Sequence, residues 1–183
     1  MRLEEMEWKT LQSQYLYEGR MKLRSDRVEL PNKKLWNYVY LEQKPAVGII
    51  PVTNDGKLVM VRQYRYALRR FTWETPAGGM EEGEDPRECA ARELEEETGY
   101  RTGRLTRLIS FNNASGSTTL FMHLFLAEDL VQTQQRLDES EFIQVGLFDL
   151  AEVVDKLESG ELQTDAATSL GVLLAFRRLN PTK

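Results

Sequence analysis

An α/β fold, with helices on the faces of a mixed sheet and a small antiparallel β meander ahead of it, is what these 183 residues predict. Three observations carry the expectation. From residue 46 onward strand-like runs recur but are interrupted by helices instead of alternating regularly with them. Three segments carry helix start and stop signals. Up to about residue 44 only closely spaced strand-like runs occur.

The meander is expected from Gln12 to Tyr17, Met21 to Leu30 and Trp36 to Leu41, with Pro31-Asn32-Lys33 turning between the second and third. Three short strands bury little apolar surface alone. Residues 1–44 are therefore expected to pack on the main domain, residues 45–183, or on a second copy of the chain. Ala46-Val47-Gly48-Ile49-Ile50-Pro51-Val52, the turn Asn54-Asp55-Gly56 and Leu58 to Tyr64 predict a hairpin. Further strands are expected at Phe71 to Glu74, Arg104 to Phe111, Leu120 to Ala127 and Phe142 to Phe148. A helix over Pro86 to Thr98 follows from Asp85 as N-cap, proline in the first turn and Gly99 at the end. Asp149 and Glu152 form a capping box before Leu150, Val153, Val154 and Leu157, and Gly160 stops that helix. A last helix is expected over Asp165 to Leu179, burying Leu170, Leu173 and Leu174.

Composition narrows the function. With 41% hydrophobic and 29% charged residues the chain suits one domain with a small extension. A single cysteine, Cys89, and a single histidine, His123, exclude an intrachain disulfide and a Cys/His zinc cage, so a metal would sit on oxygen. The start lacks the basic and apolar regions of a signal peptide, and no apolar run reaches membrane-spanning length; a soluble, cytoplasmic protein without a membrane partner is expected. Nine acids and two bases between Glu81 and Glu97 give a local charge of -7, leaving +2 for the rest of a chain whose total is -5. No basic stripe for nucleic acid remains.

The acidic segment carries the chemistry. Glu93, Glu96 and Glu97 are spaced three and four apart, on one helix face and in the last turn, where the helix dipole disfavours acids by up to ~1 kcal/mol each. Taken alone, such a run is a solvated helix face. A divalent cation would relieve the repulsion, since Mg²⁺ takes a few carboxylates together with water and substrate phosphate.

Residues Gly78 to Tyr100 fit G-x5-E-x7-R-E-U-x-E-E-x-G-U at every specified position: Gly78, Glu84, Arg92, Glu93, Leu94, Glu96, Glu97, Gly99 and Tyr100, with U a bulky apolar or aromatic residue. At background frequencies a chance match is on the order of one in ten million. On these residues the chain resembles the Nudix hydrolase family. The resemblance implies an α/β/α sandwich with a mixed sheet, and attack of water on a phosphorus of a nucleoside diphosphate joined to another group. It implies Mg²⁺, with Mn²⁺ as a substitute, held by Glu93, Glu96, Glu97 and the Ala77 carbonyl. It further implies that Arg92 orients the helix carboxylates, that Glu84 supports the loop or an outer metal shell, and that Gly78 and Gly79 let the backbone approach metal and phosphates.

The meander, Val61-Arg62-Gln63-Tyr64-Arg65, Trp73 to Gly79 and a late acidic loop are similar to the ADP-ribose and nucleoside diphosphate sugar pyrophosphatases. That group implies a homodimer with an exchanged N-terminal segment. Tyr17, Trp36 and Tyr38 become candidates for stacking on a base and Arg65 for a phosphate contact; core or interface packing is the plain alternative for each aromatic. Glu141, with Glu139 as the alternative, aligns with the loop glutamate that takes a proton from the attacking water. A proline usual in the ADP-ribose subgroup some fifteen residues beyond the box is missing from Asn112-Asn113-Ala114-Ser115-Gly116-Ser117, which moves weight toward sugars such as GDP-mannose. ADP-ribose, cleaved to AMP and ribose 5-phosphate, stands first and another nucleoside diphosphate sugar next. A non-catalytic nucleotide-sugar sensor and a nucleoside triphosphate house-cleaning enzyme are the competing readings.

Overall fold

Residues 2–19 and 21–181 are described by a computed structural model. After a single 3-10 turn at Leu3–Met6 come β1 (Lys9–Glu18), β2 (Lys22–Glu29), β3 (Leu35–Glu42), β4 (Ala46–Pro51), β5 (Lys57–Arg65), β6 (Arg70–Glu74) and β7 (Ala77–Gly79). They are followed by α1 (Pro86–Thr98), β8 (Tyr100–Asn112), β9 (Phe121–Gln132), β10 (Gln144–Asp149), α2 (Leu150–Glu158) and α3 (Ala166–Leu179). The chain divides into two compact units, Met1–Lys44 with Asn112–Leu120, and Pro45–Phe111 with Phe121–Lys183.

The smaller unit is an antiparallel sheet in the order β1-β2-β3, with Lys9 opposite Glu29 and Lys22 opposite Glu42. Arg24 organises it as a fork. Its guanidinium donates to Asp26 Oδ1 at 2.9 Å, Glu42 Oε2 at 3.0 Å and Ser13 Oγ at 3.0 Å. The 112–120 segment joins the β3 end: Leu41 N–H donates to Ser117 O at 2.9 Å, and Thr119 N–H to Leu41 O at 3.0 Å. Strand β1 is exposed along its whole length, including Leu11, Leu16 and Tyr17, as is Trp8 just before it.

In the larger unit, β4 explains the architecture. Its residues are apolar without alternation, which suits a strand buried on both faces. It lies between β7, antiparallel, and β9, parallel, with Ala46 opposite Met122 and Pro51 opposite Ala127. The resulting mixed sheet has the order β7-β4-β9-β8. Alternate residues then serve opposite helices. Val47 and Ile49, with Phe125 and Ala127, pack on Cys89, Ala90 and Leu94 of α1. Ile50 and Leu124 meet α3, where a Cβ on Gly171 would stand 2.5 Å from Ile50 Cδ1. The unit is an α/β/α sandwich.

Several expectations are corrected. The hairpin turn forms, with Thr53 N–H donating to Lys57 O at 2.9 Å, but only the Val52–Leu58 bridge joins its arms. The reason is that β4 is claimed on both edges, so β5 pairs instead with β6 and β10 in a second, antiparallel sheet of order β10-β5-β6. Strand β7 was not expected, because Ala-Gly-Gly has no strand propensity. Strand β8 begins at Tyr100 and β9 runs on to Gln132. In α3 the buried stripe is Thr168, Gly171, Val172 and Ala175, while Leu173 is 39% exposed; close approach to β4 requires small side chains there. Asp149 caps Ala151 and Glu152 N–H at 3.0 and 3.3 Å, which is the N-cap half of the expected box. No helix of the described residues is long and apolar enough to cross a membrane.

Candidate active site

Helix α1 is set by its ends and one apolar stripe. The Asp85 carboxylate accepts from Arg87 N–H at 2.8 Å, Pro86 opens the first turn, and Gly99 closes the helix at φ 70. Leu94, fully buried against β4 and β9, anchors the stripe; truncation of such a residue to alanine costs about 2–5 kcal/mol. Glu97 sits three residues on, at the margin of this stripe, and is only 5% exposed. Its carboxylate accepts Ala77 N–H of β7 at 3.1 Å.

Arg92 gathers the neighbouring acids. Its guanidinium grips Glu84 twice, at 2.9 and 3.1 Å, and donates to Glu93 Oε1 at 2.7 Å and Glu96 Oε2 at 3.0 Å. Glu84 also accepts Glu81 N–H at 2.8 Å, so the loop before α1 is tied to the helix through one carboxylate. The Glu93 carboxyl lies on the backbone at Gly78, where a Cβ would fall 1.9 Å from its Cδ; nothing stands within 4 Å of a Cβ on Gly79.

Electrostatics separates these acids. The Arg92 guanidinium holds Glu84 down at about 2. Burial pushes Glu97 up to about 8; the Ala77 N–H and Arg65 counter this, and the charges of Glu93 and Glu141 add to it. Burial raises Glu93 as well, against Arg92, with Glu96 and Glu141 raising it further. Burial pushes the Cys89 thiol up to about 12, which leaves it inert.

This donor set suits a hard divalent cation. A carboxylate buried beside two others is short of positive charge, and a glycine leaves room for Glu93 on the loop backbone. Among the described residues no three acidic, histidine or cysteine side chains stand gathered as an ion-binding cluster. Arg92 draws Glu93 and Glu96 to itself while Ala77 N–H holds Glu97, so a cation would compete with these donors for the same oxygens.

The other candidates fall in different places. Arg65 forms a fork with the buried Glu74, with Nε donating at 2.9 Å and Nη2 closer still, and Thr72 Oγ1 donates to the same carboxylate at 2.6 Å. It borders a cavity of about 340 Å³ lined also by Thr75, Ala77, Met122, Asp165 and Thr168. Sequence reading missed Glu74; its signal is the strand alternation that puts Thr72 and Glu74 on one face of β6. Glu141 is the loop acid whose charge acts on Glu93 and Glu97; Glu139 is exposed. Tyr17, Trp36 and Tyr38 belong to the smaller unit. Tyr17 and Trp36 are 62% and 59% exposed, and Tyr38 donates its hydroxyl to Gly116 O at 2.5 Å with its ring edge-on to Trp8 at 5.7 Å. Gln135, on the loop after β9, was also missed.

Helix-borne carboxylates thus stand at the edge of a mixed sheet sandwiched by helices, the arrangement that the comparisons with known proteins identify. The NUDIX domain family matches residues 42–168, and the nucleoside diphosphate sugar hydrolase N-terminal domain matches residues 8–38. The chain is 37% identical to an ADP-ribose pyrophosphatase of Bacillus subtilis (strain 168), over 93% of each chain. It is 38% identical to a methanol dehydrogenase activator of Bacillus methanolicus, over 91% of each. A crystal structure of an ADP compounds hydrolase superposes with a TM-score of 0.83 at 25% identity, covering 94% of each chain. The chain belongs to the Nudix family and is a Nudix hydrolase.

Proposed function

We propose that the chain is a Mg²⁺-dependent pyrophosphohydrolase of nucleoside diphosphate sugars, with ADP-ribose, cleaved to AMP and ribose 5-phosphate, its first substrate. GDP-mannose or another nucleoside diphosphate sugar comes next. The similarity to an ADP-ribose pyrophosphatase over nearly the whole chain and the N-terminal domain match support the substrate class. The single observation that carries the chemistry is the buried carboxylate of Glu97 beside Glu93 and Glu141.

In this reading Glu93, Glu96, Glu97 and the Ala77 carbonyl hold the cation, with Mn²⁺ able to replace Mg²⁺. When bound, the ion neutralises charge on the bridging phosphates and acidifies a coordinated water. Arg92 sets the rotamers of Glu93 and Glu96 and ties them to Glu84. Glu141 accepts the proton from the attacking water on a carboxylate oxygen as the new O–P bond forms and the P–O bond of the bridge breaks; the departing phosphate carries the bridge oxygen away. Gly78 keeps the loop backbone against Glu93, and Gly79 leaves the neighbouring surface open to phosphate. Arg65, held by Glu74, lends its remaining N–H groups to a phosphate oxygen. Tyr17, Trp36 and Tyr38 are the base-stacking candidates of an N-terminal segment exchanged in a homodimer. The exposed apolar length of β1 supports that assembly.

The test is an assay of nucleoside monophosphate formation, read by anion-exchange chromatography, with Mg²⁺ over ADP-ribose, GDP-mannose, UDP-glucose and a nucleoside triphosphate, with and without EDTA. ADP-ribose turnover abolished by EDTA is expected. No turnover of any compound would establish a sensor, and fastest triphosphate hydrolysis a house-cleaning enzyme. The resemblance to a methanol dehydrogenase activator favours a second reading, action on a dehydrogenase. A change in the rate of a methanol dehydrogenase on adding the protein would establish it.

A further inference from the structure

The last carbonyls of a helix have no partner within the helix, and in α1 the loop after β9 supplies several. Thr133 N–H donates to Gly99 O at 2.6 Å and Arg136 N–H to Glu96 O at 2.9 Å. Between them the Gln135 carboxamide donates to Glu97 O at 2.6 Å and reaches Ile143 O at 3.5 Å. Gly99 makes the approach possible, since a Cβ there would stand 2.8 Å from Gln135 N.

The two ends of the Gln135 contact are informative. One is the main chain of Glu97, the buried carboxylate of the site. The other is the main chain of Ile143, two residues beyond Glu141, whose own turn is closed by Glu141 N–H donating to Asp138 O at 2.9 Å. The backbone donors fix the loop only as far as residue 136. Among the described hydrogen bonds, those joining the Glu141 turn to the end of α1 pass through Gln135. A planar, uncharged group with two N–H donors suits two carbonyl oxygens; an isosteric carboxylate would repel both.

We propose that Gln135 is a positioning residue that holds the Glu141 turn against the carboxylate helix, so that the proton acceptor and the Glu97 end of the site keep one spacing. The proposal rests on the reading of Glu141 as the base. A misplacement near 1 Å at a reacting group costs about a hundredfold in rate.

The experiment compares wild type, Q135E, Q135N, Q135K and E141Q, measuring kcat, KM and thermal midpoint on the best substrate of the panel with Mg²⁺. The expected result is a kcat for Q135E lowered by about ten- to a hundredfold, with KM and midpoint close to wild type. Q135K, which restores donors, should recover most of the rate. Should Q135E not fold, Q135N carries the test: its shorter amide cannot span both carbonyls, and kcat should fall while the midpoint holds. Wild-type kcat in Q135E or Q135N alongside an inactive E141Q overturns the role of Gln135. So does a rate loss that tracks a loss of midpoint, which would make the contact merely structural. A fully active E141Q instead overturns the assignment of the base.

Discussion

Replacing Glu97 with glutamine should change how the metal-free protein responds to pH. A carboxyl that titrates near 4.5 when unfolded and is pushed up to about 8 when folded binds more protons in the folded state throughout that interval. By linkage, stability is then highest below pH 4.5, falls as pH rises through the interval, and levels off above about 8. At about 1.4 kcal/mol per pH unit the decline attributable to Glu97 is capped at about 5 kcal/mol. Glutamine keeps the shape and can still accept Ala77 N–H, but has no charge to desolvate. Urea unfolding in EDTA at intervals between pH 5 and 9 measures the difference. Wild type should lose stability relative to Glu97→Gln by several kcal/mol across this range, and saturating Mg²⁺ should return most of it to wild type alone. Parallel profiles for the two proteins, with Mg²⁺ acting equally on both, would refute the account of Glu97 as a buried charge awaiting a cation.

Four further outcomes follow from the geometry. Glu84→Gln removes a carboxylate that Arg92 holds at about 2, so the variant should lose about 2–3 kcal/mol at pH 7. The Glu84 contribution is present above the unfolded value of 4.5 and disappears as pH falls toward about 2, so acid unfolding of the variant should be flatter there. Gly78→Ala drives a Cβ into the Glu93 carboxyl and should cut kcat by at least about tenfold, whereas Gly79→Ala, with open space around it, should keep the wild-type rate; steady-state kinetics on both separates them. Glu141→Gln should lower kcat by about a hundredfold or more while Glu139→Gln leaves it near wild type, read in the same assay. Removing residues 1–44 should convert a dimer into a monomer in sedimentation, and a truncated protein whose sedimenting mass is still that of a dimer would remove the exchanged-segment assembly.

The legible parts of this chain are those governed by local chemistry. Asp85-Pro86 and Gly99 bound α1 as read because caps and positive φ are decided by single residues. The spacing of Arg92, Glu93, Glu96 and Glu97 likewise sufficed for the resemblance. Which strand pairs with which was not legible at the hairpin, since periodicity tells that β4 is buried but not that β7 and β9 compete for both its edges. The stripe of α3 was misread for a related reason: Gly171 and Ala175 are chosen by the closeness of β4, a tertiary fact. At the site, the Arg65–Glu74 fork and the Gln135 span join residues 9 and 38 positions apart in sequence. No motif announces such pairs until the strands and the loop are in place.

The parallel ladder of β4 with β9 also bears on how the chain is made. Ile49 pairs with Phe125, so the strand at the centre of the larger unit waits for a partner made some 76 residues later. Non-local parallel pairing is slow because the intervening loop must close before any contact rewards it. A ribosome that has released only the first hundred or so residues thus presents β4 without its β9 partner, an adhesive edge that a chaperone would shield. Splitting the gene anywhere between these strands should give two insoluble fragments rather than two folded halves.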